Sequence, residues 1–360
     1  MMVAPAPDAA HAEATHANGP HTDGPRTDGP RTDGPRTAVS IADVLAAQSR
    51  LDGTVVRTPV GQYPDVDRAA GTTVVVKHEN QQRTGAFKAR GASNLLLSMS
   101  DAERAHGVVA YSTGNHAQGV AYAARLTGTA CTIVMPDDPN PVKLRAVLDQ
   151  GADVLLHGAT FDDARAQATA LAAASGARLV GAANEPAIIA GVGSLYLELF
   201  QQAPGLDVLV VPVGGGSGAA AAGLVASAVA PGTEVIGVQS SASPAAHDSW
   251  HAGTLLERAN TTRAEGLAVG CGFEVTQGLM RRHLADFVLV TDEQISDAQQ
   301  LYLTGAHTVA EGAGAAALAA VLADPERFAG RRVGVVCTGG NASGDELRRA
   351  LGRAEAPTPD

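Results

Sequence analysis

The sequence predicts an α/β protein whose parallel sheets are covered by helices on both faces. Three observations carry that expectation. Short β-branched or apolar runs alternate with alanine-rich stretches of helical length. The runs Asp207–Val211 and Arg332–Val336 are nearly continuous in apolar character, as strands buried on both faces require. Glycine-rich segments follow several of these runs, marking turns from strand to helix.

The elements follow in order. Residues 1–38 stand apart: Thr-Asp-Gly-Pro-Arg begins at Thr22, Thr27 and Thr32. Gly-Pro at that density removes backbone donors and apolar surface together, so a disordered tail is expected. It has no continuous apolar segment of the secretory kind, and its acidic residues do not fit a mitochondrial address. Ser40-Ile41-Ala42-Asp43 reads as a helix start with Ser40 as N-cap. Thr72–Lys77 reads as a strand, His78–Arg83 as a polar connection, and Phe87–Leu97 as a helix. Ser100-Asp101-Ala102-Glu103 has capping-box spacing. Strands are then expected at Gly107–Tyr111, Ala130–Met135, Ala152–Leu156 and Arg178–Val180, with helices at Asn115–Leu126 and Asp162–Ser175 between them. Later strands are Asp207–Val211, Glu234–Val238, Phe287–Val290 and Arg332–Val336.

Composition narrows the function. The 360 residues suffice for two domains or one large α/β unit, and 45% hydrophobic content supplies a sizeable core. No apolar run approaches a membrane span. The net charge of −11, without a basic stripe, argues against a nucleic-acid partner. The three cysteines, Cys131, Cys271 and Cys337, show neither a disulfide framework nor metal-ligand spacing, so a reducing cytoplasm is expected.

Four segments carry chemistry. In Thr84-Gly85-Ala86-Phe87-Lys88-Ala89-Arg90-Gly91 a lysine heads a helix. Desolvated there, its amine loses its proton more readily and attacks carbonyls; the alternative is an ordinary surface lysine. Ser112-Thr113-Gly114-Asn115-His116 opens a helix after a strand, which is an anion site because unpaired N–H groups and the helix dipole converge there. Gly214-Gly215-Gly216-Ser217-Gly218 makes the same kind of turn and suits a phosphate. A dinucleotide loop is the competing reading, but the third glycine of that register would fall on Ala219. Cys337-Thr338-Gly339-Gly340-Asn341 follows the last strand. Strand alternation turns Cys337 away from Thr338, toward the core.

Together these segments resemble the fold type II pyridoxal 5′-phosphate enzymes of the threonine/serine dehydratase (ammonia-lyase) and serine racemase family, over roughly Ile41 to Leu351. The resemblance implies a tryptophan-synthase-β-like fold, two open twisted α/β domains with the cofactor in the cleft between them. Residues 39–106 and 176–352 would form the large domain, 107–175 the small domain, and 353–360 a disordered C-terminus. It implies that Lys88 carries the cofactor and serves as the base, beside Phe87. It assigns the phosphate to Gly214, Gly215, Gly216, Ser217 and Gly218, and the ring to Asn115, Glu311 and Thr338. It assigns the substrate carboxylate to Ser112, Thr113, Gly114, Asn115 and His116, although a structural role suits the His116 ring better. Thr338 would face the pyridine nitrogen with a neutral hydroxyl, favouring expulsion of a β-leaving group over transamination. Glu311 would border the cofactor, or equally serve as a helix-start carboxylate.

The chain departs from the family in places. Ser217 stands where a fourth glycine is usual, and its hydroxyl would either donate to the phosphate or crowd the turn. Gly312 replaces a proline after Glu311. Some relatives bind a divalent cation through two acids; here those places hold Gln239 and Ala245, so no metal is expected, with His247 and Asp248 the nearest candidates. Ala183-Asn184-Glu185-Pro186 replaces an acidic pattern common in threonine dehydratases. The chain ends soon after Asn341, so no C-terminal regulatory domain is expected. A homo-oligomer, dimer or tetramer, is implied. The leading reading is an ammonia-lyase acting on L-threonine, L-serine, or a relative such as 3-hydroxyaspartate or phenylserine. An amino-acid racemase is the alternative, since Thr113 keeps a hydroxyl where serine racemases have serine. A non-catalytic cofactor-binding sensor is a third.

Overall fold

Valine-rich runs become the strands on which the rest is arranged. The computed structural model describes residues 39–352. The repeat tail and residues 353–360, both singled out above, lie outside the described residues. The strands are β1 (Val60–Gln62), β2 (Thr73–His78), β3 (Val108–Tyr111), β4 (Cys131–Met135), β5 (Asp153–Leu156), β6 (Arg178–Leu179), β7 (Val208–Pro212), β8 (Glu234–Ser240), β9 (Asp286–Val290) and β10 (Arg332–Cys337). They form a six-stranded sheet, β1-β2-β10-β7-β8-β9, and a four-stranded sheet, β5-β4-β3-β6. All neighbours pair in parallel except β1 and β2. β1 went unread in the sequence because three residues are too few to show a period. β6 pairs with β3, so the small sheet takes its fourth strand from residues beyond the 107–175 segment.

The expected helix starts are present. Ser40 caps Ile41–Leu51 and Ser100 caps Asp101–Ala105, each in a reciprocal capping box, with Asp43 and Glu103. The helix Pro186–Gln202 is buried along most of its length, because it is apolar all round. It packs against the helices Ile41–Leu51, Lys88–Ser98 and Ser217–Val229.

Under that packing lies a buried network of four charges. Arg90 grips both oxygens of Glu79, at 2.8 and 2.8 Å, and both of Glu198, at 2.8 and 2.8 Å. Lys77 adds bonds of 2.9 Å to Glu198, Gln202 and the Thr58 carbonyl. Two cations face two anions, so the cluster is balanced where water is excluded. It ties the end of β2 and the helix Pro186–Gln202 to the helix that begins at Lys88.

Topology then gathers the distant motifs. In register, Cys337 of β10 lies beside His78 of β2, and Val335 beside Val210 of β7. The carboxyl ends of β2, β10 and β7 therefore sit together. The Lys88 loop follows β2, Thr338 follows β10, and the glycine turn follows β7. Open parallel sheets bind ligands at such carboxyl ends.

Candidate active site

Lys88 begins its helix directly after an irregular turn. Thr84 and Gly85 both take left-handed backbone, at φ 61° and 68°. Such a conformation is costly for a β-branched residue, and the surrounding structure holds it. Asn341 Nδ2 donates to the Thr84 carbonyl at 2.8 Å, Gly340 N–H to the Gly85 carbonyl at 2.9 Å, and Phe87 N–H to the Thr338 carbonyl at 3.0 Å. The loop after β10 thus clamps the loop that carries Lys88. Helix Asn115–Thr127 closes in beside it, where a Cβ on Gly119 would come within 3.0 Å of the Lys88 carbonyl.

The half-buried Lys88 side chain meets the glycine turn. Lys88 Nζ donates to Ser217 Oγ at 3.2 Å and lies 4.9 Å from the centre of the Phe87 ring. Burial pulls the Lys88 ammonium down to about 8, with the Glu311 carboxylate working against that shift. Gly216 has φ 91°, open to glycine alone without strain, and a Cβ there would lie 2.9 Å from Thr276 Oγ1. Thr276 itself donates to the Gly215 carbonyl at 2.8 Å. The buried Ser217 side chain starts the helix Ser217–Val229 and turns toward Lys88.

Two helix starts face this region without caps. Ser217–Val229 follows Gly216 and Asn115–Thr127 follows Gly114, and neither has a side-chain cap. Ser112 Oγ accepts from Gly114 N–H at 3.1 Å, folding the loop on itself. Their first-turn N–H groups are the orphan donors that anions satisfy. Thr84 Oγ1 is also buried with no hydrogen-bond partner.

Asn115 is held from two sides. Its Nδ2 donates to Glu311 Oε1 at 2.5 Å, and its Oδ1 accepts from Asn341 Nδ2 at 2.7 Å. Glu311 stands at the start of the helix Gly312–Ala323 yet makes no cap with its side chain. Burial pushes its carboxyl up to about 7, against the Asn115 hydrogen bond. The His116 ring is turned elsewhere, with Nε2 3.1 Å from the Val180 carbonyl. Burial, aided by the Lys88 charge, holds that imidazole down near about 4, so it stays neutral. Thr338 is buried beside Phe87, and Cys337 is packed in the core.

Sequence reading missed two contributors. Thr276 lies in a helix with no motif of its own. Asn341 was quoted within the last motif without a role; its position after Gly-Gly was the available signal. At the candidate cation position, Gln239 Oε1 accepts from Ala246 N–H at 3.1 Å and His247 N–H at 3.0 Å. Asp248 is bound to Arg258 at 2.6 Å and to His247 at 2.9 Å. Among the described residues no three or more His, Cys, Asp or Glu side chains form a cluster that could hold a metal. No helix among them is long and apolar enough to cross a membrane.

Comparison with known proteins gives the family. The family described as pyridoxal-phosphate-dependent enzymes matches residues 51–339. The chain is 37% identical to an L-threonine ammonia-lyase of Thermotoga maritima, over 88% of this chain and 79% of that protein. It is 35% identical to a beta-hydroxyaspartate dehydratase of Paracoccus denitrificans, over 85% of this chain and 97% of that one. Among solved structures, maize serine racemase superimposes with a TM-score of 0.83 at 30% identity, covering 87% of this chain and 97% of that one.

Proposed function

Since the chain belongs to the pyridoxal-phosphate-dependent enzymes, we propose that it is an ammonia-lyase that converts a β-hydroxy-α-amino acid to a 2-oxo acid and ammonia. The observation that carries this reading is the half-buried Lys88 amine, close to neutrality and hydrogen-bonded at the glycine turn. The chain's residues fit the cofactor. The uncapped start of the helix Ser217–Val229 would hold its phosphate, Lys88 its carbonyl carbon, and Asn115 its ring hydroxyl. Thr338 would meet the ring nitrogen with a neutral group.

When bound, the cofactor supplies an electron sink for the substrate α-carbon. Lys88 would hold it covalently, and its amine, once free, would take the α-proton. A base working near neutral pH needs a pKa close to that pH, which burial provides. The loop Ser112–His116 would receive the substrate carboxylate on backbone N–H groups, fixing the α-proton toward Lys88. Glu311 and Asn341 orient the Asn115 amide from opposite ends.

L-Threonine, L-serine and 3-hydroxyaspartate are the substrate candidates, the first and last supported by the named activities of the two relatives. The reading extends to a homo-oligomer, as the family resemblance implies. It also extends to the cytoplasm, in keeping with three free cysteines. Racemisation is a second reading, favoured by the likeness to maize serine racemase and by the hydroxyl of Thr113.

The test offers purified protein with pyridoxal phosphate a panel of L- and D-β-hydroxy amino acids, with 2-oxo acid and ammonia as readout. The expected result is turnover of one or two L-substrates, abolished in Lys88→Ala. Inversion of configuration without 2-oxo acid, lost in Thr113→Val, would establish the racemase instead.

A further inference from the structure

Elimination leaves the protein with a proton to return. The amine that takes the α-proton becomes an ammonium, and the departing hydroxide needs a proton to leave as water. The hydrogen-bond partner of Lys88 Nζ is Ser217 Oγ, at 3.2 Å. Ser217 is 1% exposed and is the first residue of the helix behind the glycine turn. It therefore belongs both to the phosphate side of the site and to the base. A hydroxyl donates and accepts at once, which a glycine in that place cannot do.

We propose that Ser217 is a catalytic residue that relays the proton from Lys88 to the departing β-hydroxyl. This rests on the lyase reading. In the step, an N–H bond of the Lys88 ammonium breaks as an O–H bond forms on Ser217. The original Ser217 hydroxyl proton passes to the β-oxygen. The Cβ–O bond breaks with its electron pair going to oxygen, and water departs. The pair left at the α-carbon becomes the second bond between Cα and Cβ. Lys88 ends neutral, Ser217 ends as a hydroxyl, and the α-proton has been transferred to water without an external acid.

Glu311 is the competing proton carrier. Its carboxyl is buried and acts on Lys88 through charge, but its Oε1 is bonded to Asn115 Nδ2 at 2.5 Å. The Ser217 hydroxyl, by contrast, is in direct hydrogen-bond contact with the amine.

The experiment uses the cofactor-loaded enzyme and the variants Ser217→Ala and Ser217→Gly. Three quantities are measured: elimination of the β-hydroxy substrate, α-proton exchange of L-alanine in D₂O by proton NMR, and the dissociation constant of pyridoxal phosphate by equilibrium dialysis. L-Alanine has no leaving group, so its exchange reports Lys88 alone. In both variants elimination is expected to fall about 10²-fold while α-proton exchange stays within about twofold of wild type. Far-UV circular dichroism checks the fold, and the glycine variant keeps the test open should alanine disturb the turn.

Unchanged elimination in the glycine variant would overturn the relay and leave the lyase reading intact. Elimination and exchange falling together would also overturn it, making Ser217 a positioning partner of Lys88. A loss fully restored by saturating cofactor would reduce Ser217 to a phosphate contact. Absence of 2-oxo acid with the wild type would overturn the lyase reading, and the relay with it.

Discussion

Replacing Arg90 by methionine tests whether the network behind Lys88 holds the site together. The guanidinium makes two bonds to Glu79, two to Glu198, one to Ser194 at 3.1 Å and one to the Val56 carbonyl at 3.0 Å. The Arg90 and Glu79 side chains are both 0% exposed. Methionine fills much of the same volume but leaves one buried carboxylate in excess of Lys77. Removing one partner of a buried pair typically costs about 3–5 kcal/mol, and that is the loss expected here. Burial alone would push the Glu79 carboxyl up; Arg90 outweighs this and holds it below the ordinary carboxylate range. The lowered value means that the pair stabilises the fold above the unfolded carboxylate pKa, and that this is lost as pH falls through the folded one. The variant's deficit should therefore be largest near neutral pH and shrink toward acid. The assay is equilibrium denaturation followed through Trp250, the single tryptophan. Arg90→Met combined with Glu79→Gln restores charge balance between Lys77 and Glu198, and should recover more than about 1 kcal/mol. A loss below about 1 kcal/mol for Arg90→Met, the worth of a surface ion pair, would refute the reasoning.

Other expectations concern the site itself. Capture of pyridoxal phosphate by the apo-protein should rise with pH to a midpoint near about 8, because the neutral amine is the nucleophile; a midpoint at 10.5, the ordinary lysine value, would contradict burial of Lys88. Glu311→Gln should move that midpoint lower still, since it removes the charge that favours the ammonium. Thr276→Val should weaken cofactor binding about tenfold by freeing the Gly215 carbonyl, with Thr276→Ser retaining affinity in the same dialysis assay. Mg²⁺, Ca²⁺ or a chelator should leave activity and thermal midpoint unchanged, because the Gln239 carbonyl oxygen is already taken by two backbone N–H groups; a saturable response would argue for a cation site.

The alternating architecture and the positions of the motifs are legible from the order of the residues alone. Strands such as Asp207–Val211 and Arg332–Val336 were legible because burial on both faces demands continuous apolar runs, and β7 and β10 lie within a residue of those limits. Lys88 and the two glycine-rich turns were visible because a turn into a helix needs particular residues in consecutive places. Tertiary structure decided what those residues touch. Ser217 meets Lys88, Glu311 meets Asn115, and Asn341 clamps Thr84, across separations of 129, 196 and 257 residues. It also decided that Arg90 is wholly buried, although arginine is usually a surface residue. The physical reason is the same throughout. Local periodicity is set by neighbours within a turn or a strand, whereas the pKa of Lys88 and the partner of its amine depend on groups that only the parallel order of β2, β10 and β7 brings together.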